Sequence, residues 1–213
     1  MPELRFQVEA VEATAAAATP TLSFRLRIEN MRPGEQVHSI ALTTQLHIEP
    51  ARRRYSDEEK QALGDLFGEP ERWGSTVRPL YWTTMQAAVP GFTGVTMFEL
   101  RVSCTYDFNV SATKYFHTLG EGEVPVSLMF SGTVFYIVGE QFQVAPIPWA
   151  QEAACRIPVR AWKEMMAHHY PNAAWLALRR DVFERMVRYK ARHGLPTWEQ
   201  MMEHVLAAAG DAS

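Results

Sequence analysis

At 213 residues the chain suits one large domain, or one domain with an appendage, and is long enough to bury a core without staples. Hydrophobic residues make up 47% and charged residues 21%, which excludes a disordered, collagenous or coiled-coil chain as the main answer. With 21 Lys and Arg against 24 Asp and Glu the net charge is -3, so there is no global basic field of the kind a nucleic-acid binder relies on.

The first two-thirds reads as strands. Leu4 to Val11 opens the series. In residues 21–30 Leu22, Phe24, Leu26 and Ile28 alternate with Ser23, Arg25, Arg27 and Glu29, the mark of a half-buried strand. Val37 to Pro50 repeats the pattern with Ile40, Leu42, Leu46 and Ile48. Ser56-Asp57-Glu58-Glu59 then forms a capping-box helix start, with Ser56 as N-cap and Glu59 at the third helical position. Segment 51–79 is therefore expected to be an insertion holding one short helix, with an exposed Arg52-Arg53-Arg54 run as a second possible interface. Leu80 to Val89 is the next expected strand. Phe98 to Phe108 follows, with Phe98, Leu100, Val102, Cys104, Tyr106 and Phe108 facing inward. Val110 to Leu119 is expected to pair with it through a hairpin at Asp107 to Val110.

From Val124 to Val138 both parities are apolar, so that strand should be covered on both faces. Gly132 inside it suggests a bulge or bend. Gln141 to Val144 brings the total to about eight strands. After Pro148 three helices are expected. The first begins at Pro158 and ends near His169. The second is capped by Asn172 and ended by Gly194, and the third opens at the capping box Thr197-Trp198-Glu199-Gln200. The expected fold is thus mainly β: an antiparallel β-sandwich of about eight strands over residues 1–150, with a helical insertion and a three-helix layer over 151–213 packed on the sandwich, α+β overall.

Candidate functional residues are few. At 100° per residue Arg179 and Lys190 fall inside the apolar arc of the second C-terminal helix, so Arg179 should meet a carboxylate or carbonyls. It either ties the helix to the sheet, covers apolar surface with its stem, or serves as a cationic hook for a partner or anionic ligand. Arg180, Arg185, Arg188 and Arg192 lie opposite, mixed with Asp181 and Glu184, a face that reads as solvated. His168 and His169 are adjacent on a helix and so poorly placed to share a metal; they complement the helix dipole at its C-terminus. Cys104 and His117 would stand roughly 13 Å apart in the expected hairpin, too far for a nucleophile and base. No P-loop, Rossmann or nucleophile-elbow pattern occurs. With no apolar run near ~18 residues, no signal-peptide pattern at Met1 to Arg5 and two Cys without zinc spacing, the chain reads as cytoplasmic with reduced thiols. One disulfide between Cys104 and Cys155 is left open. Five of ten Met and three of six Trp lie in the last fifty-odd residues, a composition suited to core packing or to adaptable docking.

Several longer stretches point beyond composition. They are Cys104-Thr105-Tyr106-Asp107-Phe108 through Lys114-Tyr115, Gly122-Glu123-Val124-Pro125, residues 130–136, Pro146-Ile147-Pro148-Trp149, Pro158-Val159-Arg160-Ala161-Trp162, residues 175–181 and Leu195-Pro196-Thr197-Trp198. Together they span most of residues 80–206, and the set resembles an uncharacterised bacterial protein family. The resemblance implies encoding beside nickel-iron uptake hydrogenase genes and an accessory role in assembly or maturation of that enzyme. With no cluster-binding Cys set and no His tract, such a role would be docking or chaperoning and not metal carriage.

The expected function is a non-catalytic protein-binding accessory factor, with Trp149, Trp162, Arg179 and Trp198 as the docking patch and a hydrogenase subunit or maturation factor as partner. No catalytic residue, cofactor or metal is expected, nor nucleic acid or membrane insertion, and homo-oligomerisation is left open. The alternative is a small-molecule binder or enzyme with a pocket between sheet and C-terminal helices, lined by Tyr106, His117 and Arg179.

Overall fold

The computed structural model describes residues 2–32, 34–148 and 150–210. Eight strands form two antiparallel sheets. Strands β1 (Leu4–Ala13), β2 (Thr21–Asn30) and β5 (Val95–Ser103) make the first, in the order β1-β2-β5. The second runs β4 (Leu80–Phe92), β3 (Gln36–Ile48), β6 (Glu123–Val138) and β7 (Gln141–Pro146), and β8 (Gln151–Pro158) also pairs with β6. Strands β7 and β8 divide β6 between them: β8 pairs with Glu123–Phe130 and β7 with Thr133–Val138. Gly132 sits at the changeover with φ 130°, and a Cβ there would fall 2.0 Å from the Ala41 carbonyl oxygen on β3. Only glycine fits that close approach, so the bend expected at Gly132 has a steric cause.

The core lies between the sheets. Phe6 of β1 stacks on Phe130 of β6 at 4.3 Å. A second aromatic series runs from Phe24 on β2 to Trp82 on β4 (6.2 Å), then to Phe116 (5.5 Å) and Trp162 (5.3 Å). The last two belong to helices α4 (Val110–Thr118) and α5 (Val159–His169), which pack into the same core. The short helices α1 (Asp57–Ala62), α2 (Gly64–Phe67) and α3 (Trp73–Thr76) fill the insertion between β3 and β4, which therefore holds three short helices where one was expected.

Residues 110–119, expected as a strand, form α4. Val, Thr, Tyr and Phe give the segment strand propensity, but Ala112, Tyr115, Phe116 and Leu119 are the buried positions, a helical spacing. Asn109 decides the matter locally: its Oδ1 accepts from the Ala112 amide, and its Nδ2 donates to the Tyr81 and Trp82 carbonyls, so one side chain caps α4 and ties it to β4. Strand β5 ends at Ser103, and the expected hairpin at Asp107 to Val110 does not form.

Conversely, β8 lies within the region 151–213 expected to be a helical layer, just ahead of the first expected helix. Its inward residues, Ala153, Cys155 and Ile157, alternate correctly but two are small, and Ala154 among the outward ones blurs the pattern. One strand lost and one gained leave the total at eight.

The doubly apolar strand is covered fully on one side only. Val124, Val126, Leu128, Phe130, Val134 and Tyr136 are buried, Phe135 and Ile137 are half-buried, and Met129 is 44% exposed.

The boundary expected at 150/151 falls at 173/174, where the chain divides into two compact units. Strand β8 and helix α5, with Val159, Trp162, Met165 and Met166 buried, belong to the first. Asn172 does not cap a helix; it takes the left-handed conformation at φ 55°, and the following amide of Ala173 bonds back to Tyr170, closing the chain after α5.

The second unit holds α6 (Arg180–Arg192) and α7 (Trp198–Ala208). Helix α6 ends in a Schellman motif: Leu195 N–H donates to Lys190 O, Gly194 N–H to Ala191 O, and Gly194 takes φ 62°. Thr197 caps α7 by accepting from the Gln200 amide.

Candidate functional site

A dense polar cluster ties the insertion to the loop between α4 and β6. The capping box at α1 is complete: Ser56 Oγ accepts from the Glu59 amide, and Glu59 Oε2 accepts from the Ser56 amide. The Glu59 carboxylate also accepts two hydrogen bonds from Arg53, at 2.9 and 3.0 Å, and one from the Gly120 amide at 2.9 Å. Arg53 further donates to the Glu121 carbonyl and lies over the Tyr55 ring, 5.0 Å from its centroid. Its side chain is 8% exposed, so the expectation of an exposed Arg52-Arg53-Arg54 run is corrected at its middle member. Arg52 and Arg54 remain exposed. Burial alone would raise the Glu59 carboxyl, but the hydrogen bonds from Arg53, Gly120 and Ser56 outweigh it and hold the group below its ordinary value of 4.5.

Behind this pair, the hydroxyls of Tyr55 and Tyr115 lie 2.7 Å apart, and Tyr55 donates to the Pro50 carbonyl. Burial pushes the Tyr115 phenol well up. Trp73 and Phe67 complete the packing around Tyr55 and Tyr115 through edge-on contacts. An open cleft of about 780 Å³ lies over the ion pair, lined by Arg54, Glu58, Thr118 and Glu123 among others. Every charge at its floor is already paired, so the arrangement works as a clamp on the insertion. Sequence reasoning found the capping box but not the clamp. Arg53 looks like its two neighbours, and its carbonyl partner lies 68 positions away.

The two thiols are free, and burial pushes each up to about 12. Cys104 Sγ donates to the Val102 carbonyl at 3.5 Å, while His117 is exposed on α4. The spacing argument from a hairpin no longer applies, but the protonated, buried thiol still makes Cys104 a packing residue. Among the described residues no group of three His, Cys, Asp or Glu could hold a metal ion, and no helix is long and apolar enough to cross a membrane. His168 and His169 occupy the last turn of α5.

Of the expected docking residues, Trp162 is 2% exposed and stacked on Phe116, which removes it from any accessible patch. Trp149 lies outside the described residues. Arg179 is not in the apolar arc: the helix begins at Arg180, so Arg179 is its N-cap residue, exposed, and pairs with Asp181 at 3.1 Å. The angular argument failed because it extended the helix a full two turns too far toward Asn172. Trp198 is 36% exposed, contacts the Phe183 ring at 5.3 Å and carries the Lys190 ammonium 5.7 Å from its centroid. Of the expected pocket residues, Tyr106 lies against Tyr170 with ring centroids 4.7 Å apart and planes tilted by 34°, His117 is exposed on α4, and Arg179 belongs to the second unit.

In the second unit the notable feature is apolar exposure. Trp175, Leu176, Leu178, Phe183, Val187, Trp198, Val205 and Leu206 are all 36% exposed or more.

A family model described as a family of unknown function, DUF6084, matches residues 1–213. The chain belongs to this family. The DUF6084 description gives no activity and makes no reference to hydrogenase. No curated protein matches the chain. Among solved structures it is similar to a protein described as late embryogenesis abundant, at 10% identity and TM-score 0.35, covering 74% of this chain and 72% of that one. It is also similar to a CARDB domain from Pyrococcus furiosus solved with di-metal ions, at 9% identity and TM-score 0.29, covering 74% and 87%. A β-glucosidase from Kluyveromyces marxianus matches at 7% identity and TM-score 0.28, covering 74% of the DUF6084 chain and 15% of the enzyme. None of these likenesses transfers a ligand or an activity.

Proposed function

We propose that this DUF6084 protein is a non-catalytic protein-binding factor, with the sandwich as scaffold and the two-helix unit as docking element. The observation that carries this reading is the exposed apolar set on α6, α7 and the segment before them. A stretch of about forty residues buries too little surface to be stable on apolar packing of its own, and contiguous exposed apolar side chains mark interaction sites. The chemistry of the thiols supports the non-catalytic side: burial keeps both protonated, so neither supplies a thiolate nucleophile. Trp198 and Phe183, in ring contact, form the aromatic anchor, and Arg179 flanks it at the start of α6.

The partner to test first is a nickel-iron hydrogenase subunit or its maturation machinery, the accessory role that the sequence resemblance implies. The test is affinity purification of the tagged protein from its own host grown under hydrogen-oxidising conditions, beside a Phe183→Ala/Trp198→Ala variant. Recovery of those proteins with the wild type and their loss with the variant is the expected result. A preparation free of partner in both cases would refute the reading.

A further inference from the structure

Strand β7 is a free edge of the second sheet: it pairs with β6 on one side, and among the described residues no strand pairs with its other side. An edge strand presents backbone donors and acceptors that invite pairing with another chain, and proteins guard such edges with charge, proline, bulges or covering side chains. The other edges are guarded in these ways. Strand β1 carries Arg5, Glu9 and Glu12 and a bulge at Val8/Ala10, β5 carries Glu99 and Arg101, and β8 carries Glu152 and Arg156. On β4 the Asn109 side chain occupies two carbonyls and Pro90 removes a donor. Strand β7, Gln141-Phe142-Gln143-Val144-Ala145-Pro146, has no charged residue, and its proline stands at the very end.

The pairing with β6 decides which groups face outward. Ile147 N–H donates to the Gly132 carbonyl, so the backbone of the odd-numbered positions turns to β6, and by strand alternation the N–H and C=O of Phe142 and Val144 turn to the free edge. The side chains of the same two residues stand on the face opposite buried Ala145, each 56% exposed, and the Phe142 ring is held against His38 at 5.4 Å and Phe135 at 6.0 Å. We propose that a second copy of this chain occupies this edge, the two β7 strands pairing antiparallel about a two-fold axis at Gln143. That register sets Phe142 opposite the partner's Val144 and Val144 opposite the partner's Phe142, two aromatic and β-branched pairs on one face, with N–H and C=O of all four residues bonded across the edge. Moving the axis to Phe142 would set Glu140 against the partner's Val144, and moving it to Val144 would set Phe142 against the partner's Pro146, which has no N–H to give. With the axis at Gln143 no like charges meet, so the edge is complementary to itself. The sandwich carries this contact, which stands apart from the docking role proposed for α6 and α7.

The experiment is sedimentation velocity on the full chain over a wide concentration range. A six-residue edge falls short of the ~1,200 Å² of a standard interface, so a weak dimer is expected, with a Kd on the order of 10–100 µM. Gln143→Lys sets like charges face to face on the axis and should weaken the dimer about tenfold, as should Gln143→Glu, and an equal mixture of the two should recover wild-type association. Val144→Pro removes an outward N–H, leaves the bonds to β6 in place and should abolish the dimer. Melting curves establish that each variant is folded. A wild type that stays monomeric up to about 500 µM overturns the proposal. Association that Gln143→Lys and Val144→Pro leave unchanged overturns it too, and its loss in Phe183→Ala/Trp198→Ala would assign the contact to the helical unit instead.

Discussion

Trp162 and Trp198 are the same residue type in the two units, and they lead opposite lives. The first is 2% exposed at the end of an aromatic series that links both sheets and two helices; the second is 36% exposed with one ring partner and one ammonium. The contrast extends to each unit as a whole. In the first, polar groups at the α1 junction are satisfied several times over, as the Glu59 carboxylate is by Arg53, Ser56 and Gly120. In the second, apolar side chains are left exposed, and Arg185, Arg188 and Arg192 have no acidic partner among the described residues. Stability is therefore concentrated in the sandwich, and the proposed docking role falls to the α6–α7 unit, so substitutions in the two should have effects of different kinds.

The largest stability loss is expected for Trp162→Ala, about 3–5 kcal/mol, because it opens a cavity next to Phe116 in the closed core. Thermal or urea unfolding measures it, and a loss below about 1 kcal/mol would break the contrast at its strongest point. Glu59→Ala should cost about 3–5 kcal/mol as well, since it strands the buried Arg53 and removes half of the capping box. Its pH dependence sharpens the claim. The Glu59 carboxyl lies below 4.5 in the folded chain, so its contribution is fully present above that pH and is lost as pH falls through its lowered folded value. Urea titrations of the wild type and of Glu59→Gln should therefore converge as pH drops below 4.5, and a constant gap would contradict the assignment.

A smaller effect of opposite sign is expected at Thr44. This residue lies on the core face of β3, fully buried, and its hydroxyl has no partner among the described residues. Thr44→Val keeps the shape and removes the unsatisfied group, so it should be neutral or stabilising by up to about 1 kcal/mol. A loss in the same unfolding assay would show that the hydroxyl is used. Trp198→Ala should change stability least, within about 0.5 kcal/mol, while weakening partner capture. Large destabilisation there would make Trp198 a core residue and erase the difference between the units.

Much of the fold is legible in the residues. Strand β2 has the bounds that its alternation predicts, the Ser56 capping box forms with both bonds, and Thr197 caps α7. Failures have physical causes. Segment 110–119 carries β-prone residues, and its helix depends on Asn109 reaching carbonyls of β4 that lie 27 and 28 positions away. Strand β8 is too rich in alanine to show a period. The site was less legible than the fold: which of three consecutive arginines turns inward, and which of three tryptophans in the last fifty-odd residues is buried, depends on partners distant in the chain. Arg179 shows the related hazard that a helical wheel is only as good as the helix boundary it assumes.

The most direct test is hydrogen–deuterium exchange of the full chain. The β3 and β6 amides should exchange far more slowly than those of α6 and α7. Equal protection of both units would contradict the division of labour proposed for the two units.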